Sequence, residues 1–215
     1  MNKPQKIIIL GTRVFAEEVA DLLSECEGYE LNLFCENWER ARCDQTLLER
    51  PIVWVDDLAR YAKTHKALCA IGTTKRSLFT EQVENMGLQF ASLQHPTCRV
   101  SPTCKIGAGT ILSVGSIVAS HTSLGQHVIV NRGCLIGHHT SIADYVTISP
   151  GANIAGRVTI GEASYIGMGA IILNDIKVGS HSIVGAGAVV TKDVPDNVQV
   201  MGVPAKIVKE NISGR

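Results

Sequence analysis

Between residues 100 and 190 of this 215-residue chain, an aliphatic side chain recurs at every sixth position without an insertion. The series runs Val100, Ile106, Leu112, Val118, Leu124, Val130, Ile136, Ile142, Ile148, Ile154, Ile160, Ile166, Ile172, Val178, Val184 and Val190. The residue after each is nearly always small, as at Ser101, Gly107, Gly125, Gly137, Ala155, Gly161, Gly167 and Gly185, with Leu173 and Thr191 as exceptions. A six-residue period is too short for a pair of helices. It matches the short strand plus turn of a hexapeptide parallel β-helix. With three faces to a coil, sixteen hexads make about five coils, their aliphatic columns stacked inside at the ~4.8 Å spacing of neighbouring strands.

The N-terminal part has a different pattern. A strand at Lys6–Leu10 runs into Gly11 and then an amphipathic helix from Val14 to Ser24, with Val14, Val19, Leu22 and Leu23 on one face. Weaker strands follow at Glu30–Phe34, Ile52–Val55, Ala67–Ile71 and Leu88–Ser92, separated by helical stretches near Asp57–Lys63 and Lys75–Met86. Such alternation predicts a small parallel α/β domain of Rossmann-like type, ending near His95-Pro96, where proline restricts the residue before it. The fold class is therefore mixed, with the α/β domain at residues 1–95 and the helix of repeats at 96–215. The closing Met201–Lys206 leaves the repeat and is expected to cap or cross its last coil.

Composition narrows the function. Apolar residues reach 45% but aromatics only 5%, so the core must be aliphatic, as tightly stacked repeats require. Lys plus Arg and Asp plus Glu both number 20, and a net charge of zero provides no broad field for nucleic acid or an anionic membrane. A small-molecule substrate is favoured. The seven cysteines are scattered, without a C-x-x-C pair, and read as reduced structural thiols. The polar start, Met1–Lys6, leads into an apolar run of only Ile7–Leu10, too short for a signal segment or a membrane span, which predicts a cytoplasmic protein.

Residues 131–161, N-R-G-C-L-I-G-H-H-T-S-I-A-D-Y-V-T-I-S-P-G-A-N-I-A-G-R-V-T-I-G, resemble the catalytic stretch of the NeuD/PglD-like family of sugar O- and N-acetyltransferases. V-G-A-G-A-V-V-T-K-D-V at 184–194 and G-V-P-A-K at 202–206 extend that resemblance over nearly the whole chain. It implies a left-handed β-helix, which the usual right-handed crossover preference would not supply. It also implies acetyl-CoA as co-substrate without a metal, and a homotrimer with each site in a groove between two subunits.

By the resemblance, His138 corresponds to the general base that takes the proton from an attacking amine or hydroxyl. A neutral imidazole suits that task at pH 7. The residue itself lies two positions past Ile136, at a turn and outside the buried column. Gly156 follows 18 residues later, hence at the same corner one coil on, and the resemblance assigns its N–H to the acyl oxygen. His139 is a further catalytic candidate, standing where relatives commonly carry Asp or Glu beside the base. Asn131 and Thr147 are matched to acceptor positions, Thr147 where relatives often have a histidine. Gly167-Met168 and Gly185-Ala186, together with Gly156, are the implied cofactor positions.

In the N-terminal turn, Gly11-Thr12-Arg13 keeps only the first glycine of a dinucleotide fingerprint, so NAD is not expected. The resemblance places a nucleotide-sugar phosphate there, near Gly11, Arg13, Gly72 and Arg76. The expected activity is acetyl transfer to the amino group of a nucleotide-linked amino sugar. Two alternatives are O-acetylation of a sialic-acid-like sugar and, from another class, a non-catalytic β-helix scaffold. A metal enzyme of gamma-class carbonic-anhydrase type fits poorly, because His121, His127, His138, His139 and His181 lack the i, i+5 pair those enzymes use.

Overall fold

In the computed structural model, residues 3–215 are described; Met1 and Asn2, the first residues of the polar start, lie outside the described residues. Strand β1 (Gln5–Leu10) is followed by α1 (Val14–Ser24), β2 (Tyr29–Glu36), β3 (Thr46–Leu47), β4 (Arg50–Trp54), β5 (His65–Cys69), α2 (Ser77–Asn85) and β6 (Gln89–Phe90). These strands form a sheet of order β3-β4-β2-β1-β5-β6, parallel except for the antiparallel β3/β4 pair. The central strand carries Ile7, Ile8, Ile9 and Leu10 with no exposure at all, as an apolar run covered on both faces must.

Helix α1 lies where the sequence puts it but turns a different face inward. Ala16, Val19, Ala20, Leu22 and Leu23 are buried, whereas Val14 is 80% exposed in the first turn. Two small alanines complete the stripe that a search for large apolar residues assigns to Val14. The stretch expected as a helix near Asp57 is a 3-10 helix, Val55–Tyr61, which takes Val55 from the preceding strand. All seven cysteines are free thiols.

The hexads wind into a parallel β-helix with three faces. The first face begins with Leu93–Gln94, already ahead of Pro96, and stacks Ile111–Leu112, Ile129–Val130, Thr147–Ile148, Tyr165–Ile166, Ile183–Val184 and Gln199–Met201. The second runs from Arg99–Val100 to Val189–Val190 and the third from Lys105–Ile106 to Lys177–Val178. Every pairing joins residues one coil apart, such as Ile136 with Val118 and Ile154, and the aliphatic column fills one continuous core. Each buried Ile or Val contributes roughly 1.5–3 kcal/mol. Met201 remains on the ladder, and the chain then turns back so that Lys206–Lys209 pairs antiparallel with Gln199–Met201 and closes the first face.

From Ile106 to Val184, the position three after each core residue adopts a left-handed backbone, and the three corners fill it differently. At the first corner, between first and second faces, it is Gly115, Gly133, Gly151, Gly169 and Gly187. At the second it is His121, His139, Arg157 and Asp175; at the third, His127, Tyr145, Ala163 and His181 follow Gly109. A side chain here pays for the rare conformation but projects away from the core.

Arg76 joins the two parts. The residue is 1% exposed, and all five of its N–H groups donate to protein: to the carbonyls of His127, Thr73 and Val146 and to Thr147 Oγ1, at 2.6–2.9 Å. Burial pushes its pKa down to about 10. Arg76 is therefore a tie between the α/β part and the first face, with no donor left for a phosphate, which corrects its assignment to the substrate. Arg76→Leu is expected to destabilise the protein by about 2–4 kcal/mol by leaving buried oxygens unpaired, measurable by urea unfolding. An unchanged midpoint would contradict this role.

Candidate active site

The second corner presents the histidines. His138 is exposed beside the buried Ile136, and its Nδ1 lies 3.1 Å from Nδ1 of His139, the two rings nearly perpendicular at 85°. The His139 ring in turn lies 4.8 Å from that of His121, one coil before. On its other edge the His138 imidazole covers Gly156: a Cβ added there would stand 2.7 Å from Nε2. No residue but glycine leaves room for the ring in this position. The Gly156 carbonyl accepts from the Asp175 N–H at 3.2 Å, whereas its own N–H has no protein acceptor among the described residues. Asp175 is held by Arg157 through both carboxylate oxygens, at 2.6 and 2.8 Å, which keeps its carboxyl below the usual range.

Apart from Gly156, the expected cofactor positions are elsewhere on the same chain. Asn131, Gly167-Met168 and Gly185-Ala186 all belong to the first corner, separated from His138 by the width of the second face. This corner is bare backbone: a Cβ built on Gly133, Gly151, Gly169 or Gly187 meets nothing within 4 Å. Met168 is 59% exposed at its edge, and Asn131 fixes its amide by donating to the Ile148 carbonyl at 2.9 Å.

Two cavities open where the α/β part meets this side of the helix. One of about 330 Å³ is lined by Asn131, Ser149, Pro150, Tyr165, Gly72 and Phe15, with Thr147 and Arg215 at its wall. Thr147 is itself 2% exposed and donates to the Gly72 carbonyl at 3.3 Å. The second, of about 350 Å³, shares Phe15 and Gly72 and continues past Gly11, Arg13 and Trp38. Both lie at the carboxyl ends of β1 and β5, where open parallel sheets take ligands. A larger space of about 650 Å³ opens at the opposite ends, beside Gln5 and Lys66, and gathers none of the expected residues.

The sequence reading missed the group that shapes the turn after β1. Glu36, at the end of β2, accepts from the Thr12 hydroxyl and, through Oε1, from the N–H groups of Asn37 and Trp38 at 3.0 and 2.8 Å. Burial alone would push this carboxyl up, but those donors outweigh it and the pKa lies below its ordinary value. Arg42 completes the arrangement, donating to Thr12 Oγ1 and the Thr12 carbonyl at 2.9 and 2.6 Å. Arg13 points outward to Glu39, at 2.7 Å. The acid at the end of β2 was the one available signal.

The acetyltransferase domain of PglB from Neisseria gonorrhoeae is 30% identical to this chain over 95% of it and 100% of that domain, with a TM-score of 0.86; in complex with acetyl coenzyme A the TM-score is 0.87. This chain belongs to the hexapeptide-repeat sugar N-acetyltransferases. PerB of Caulobacter crescentus, solved in complex with CoA and GDP-perosamine, is 28% identical over 95% of this chain and 97% of its own, TM-score 0.86. WeeI from Acinetobacter baumannii is similar at 28% identity over 95% and 100%, TM-score 0.84. The family model for bacterial transferase hexapeptide (six repeats) matches residues 157–192. No curated protein sequence matches significantly. The family reading made from residues 131–161 is thus borne out. Among the described residues of this acetyltransferase no three His, Cys, Asp or Glu side chains converge as a metal site, and no helix is long and apolar enough to cross a membrane.

Proposed function

We propose that this enzyme transfers the acetyl group of acetyl-CoA to the amino group of a nucleotide-linked amino sugar, with His138 as the general base. The observation that carries the reading is the pairing of an exposed imidazole with a glycine whose N–H is unused, stacked one coil apart. The relatives solved with acetyl-CoA, or with CoA and GDP-perosamine, supply the substrate class. Nε2 of His138 takes a proton as the amine attacks the thioester carbonyl. The oxyanion that forms is met by the Gly156 N–H, a contribution commonly worth ~3 kcal/mol. Collapse expels the CoA sulfur, which leaves with the proton from His138 as free thiol.

The helix is left-handed in this reading, residues 96–215 carry the transferase chemistry, and residues 1–95 form a Rossmann-like domain that holds the nucleotide. The bare first corner, with Gly167, Met168, Gly185 and Ala186, admits the pantetheine arm. Because the first and second corners of one chain lie on different edges of the prism, a homotrimer that sets the second corner of one copy against the first corner of the next builds the groove, and the protein works in the cytoplasm. An assay of CoA thiol release against nucleotide-linked amino sugars, their hydroxyl analogues and sialic acids tests the acceptor class. Release that requires the amino group supports the reading. Release with sialic acids alone would replace it by O-acetylation.

A further inference from the structure

We infer that His139 is the positioning residue of the base: its neutral imidazole accepts the Nδ1 proton of His138 and so leaves Nε2 of His138 free to take a proton from the acceptor. The inference rests on the assignment of His138 as base. A 3.1 Å contact between two Nδ1 atoms holds one proton, and only one of its two arrangements is competent. If His138 donates, its lone pair is at Nε2, over Gly156; if His139 donates, Nε2 of His138 already carries the proton and the base is blocked.

His139 is fixed for this from two sides. Its backbone is left-handed, φ +57°, which projects the ring along the corner toward His138, and the His121 ring lies 4.8 Å behind it. The charged neighbours on the two following coils are Arg157 and Asp175, paired with each other, the Asp175 carboxylate also interacting electrostatically with His138; His121 is the remaining titratable group. A carboxylate beside a histidine orients it and also favours imidazolium; a neutral imidazole orients it without that charge. Transfer should therefore persist to lower pH here than with a carboxylate in the same place.

Three substitutions that tolerate φ +57° separate these effects. His139→Gly removes the acceptor without backbone strain, His139→Asn offers a neutral amide oxygen, and His139→Asp offers the charge. For the full-length enzyme assayed with acetyl-CoA and its amino-sugar acceptor, His139→Gly is expected to lower kcat ~10-fold or more with KM for both substrates nearly unchanged. His139→Asn should recover most of that loss, and His139→Asp should recover it while moving the acid limb of kcat/KM up by about one pH unit. Unchanged kcat in His139→Gly would overturn the inference. So would equal losses in all three variants with the parental pH profile, the mark of a merely structural residue. If instead His138→Ala retains activity, the base assignment itself falls, whichever way the His139 series behaves.

Discussion

Replacing His138 by alanine is expected to cut turnover by ~10² or more at pH 7 while the protein stays folded. The imidazole is exposed and lies against His139 and Gly156, whereas the core column beneath it is supplied by Ile136. Its loss therefore removes a proton acceptor and opens no cavity. Gly156→Ala should act in the same direction from the other partner, since the new methyl would stand 2.7 Å from Nε2 and must push the ring aside. Steady-state rates together with circular dichroism decide the matter. A His138→Ala enzyme with near-normal turnover would remove the residue from the mechanism.

Two inactive variants are expected to restore each other when mixed. His138→Ala spoils the second corner and leaves the first intact; Ala186→Trp does the reverse, placing a bulky ring on the exposed first corner. Ala186 is the better blocking position than Gly185, where a Cβ would already meet the Met201 side chain at 2.6 Å and disturb the closing strand. In randomly mixed trimers, about a quarter of the grooves draw an intact second corner from one chain and an intact first corner from the next. Activity should reappear to that extent after co-refolding, with each variant alone inactive. Verified mixed trimers without recovery, or a fully active monomer, would show that one chain builds the site by itself.

The repeat was legible to the residue because its signal is periodic: one slipped position would have moved an aliphatic side chain out of the column, and none slips between Val100 and Val190. The same period places Gly156 over His138, since 18 residues make one coil. Contacts between parts that are distant in the chain were not legible. Arg76 looked like a phosphate ligand in the loop after β5, but its partners at 127, 146 and 147 are set by how the α/β part docks, which no local pattern encodes. The Glu36–Thr12–Arg42 arrangement escaped for the same reason. Val14 was assigned to the buried face because size was read as burial, whereas Ala16 and Ala20 fill that face where the helix lies close to the sheet. Hexad spacing locates the left-handed corner residue at 139 but not the side-chain orientations that bring Nδ1 of His138 and Nδ1 of His139 together.

The most direct test follows the acetyl group itself. The purified enzyme is incubated with acetyl-CoA labelled in the acetyl group and a nucleotide-linked amino sugar, and the product is analysed by mass spectrometry and NMR. The account predicts label in an amide on the sugar nitrogen, formed in step with free CoA and absent when the acceptor is omitted. Label recovered only as acetate, at the same rate with and without acceptor, would contradict it.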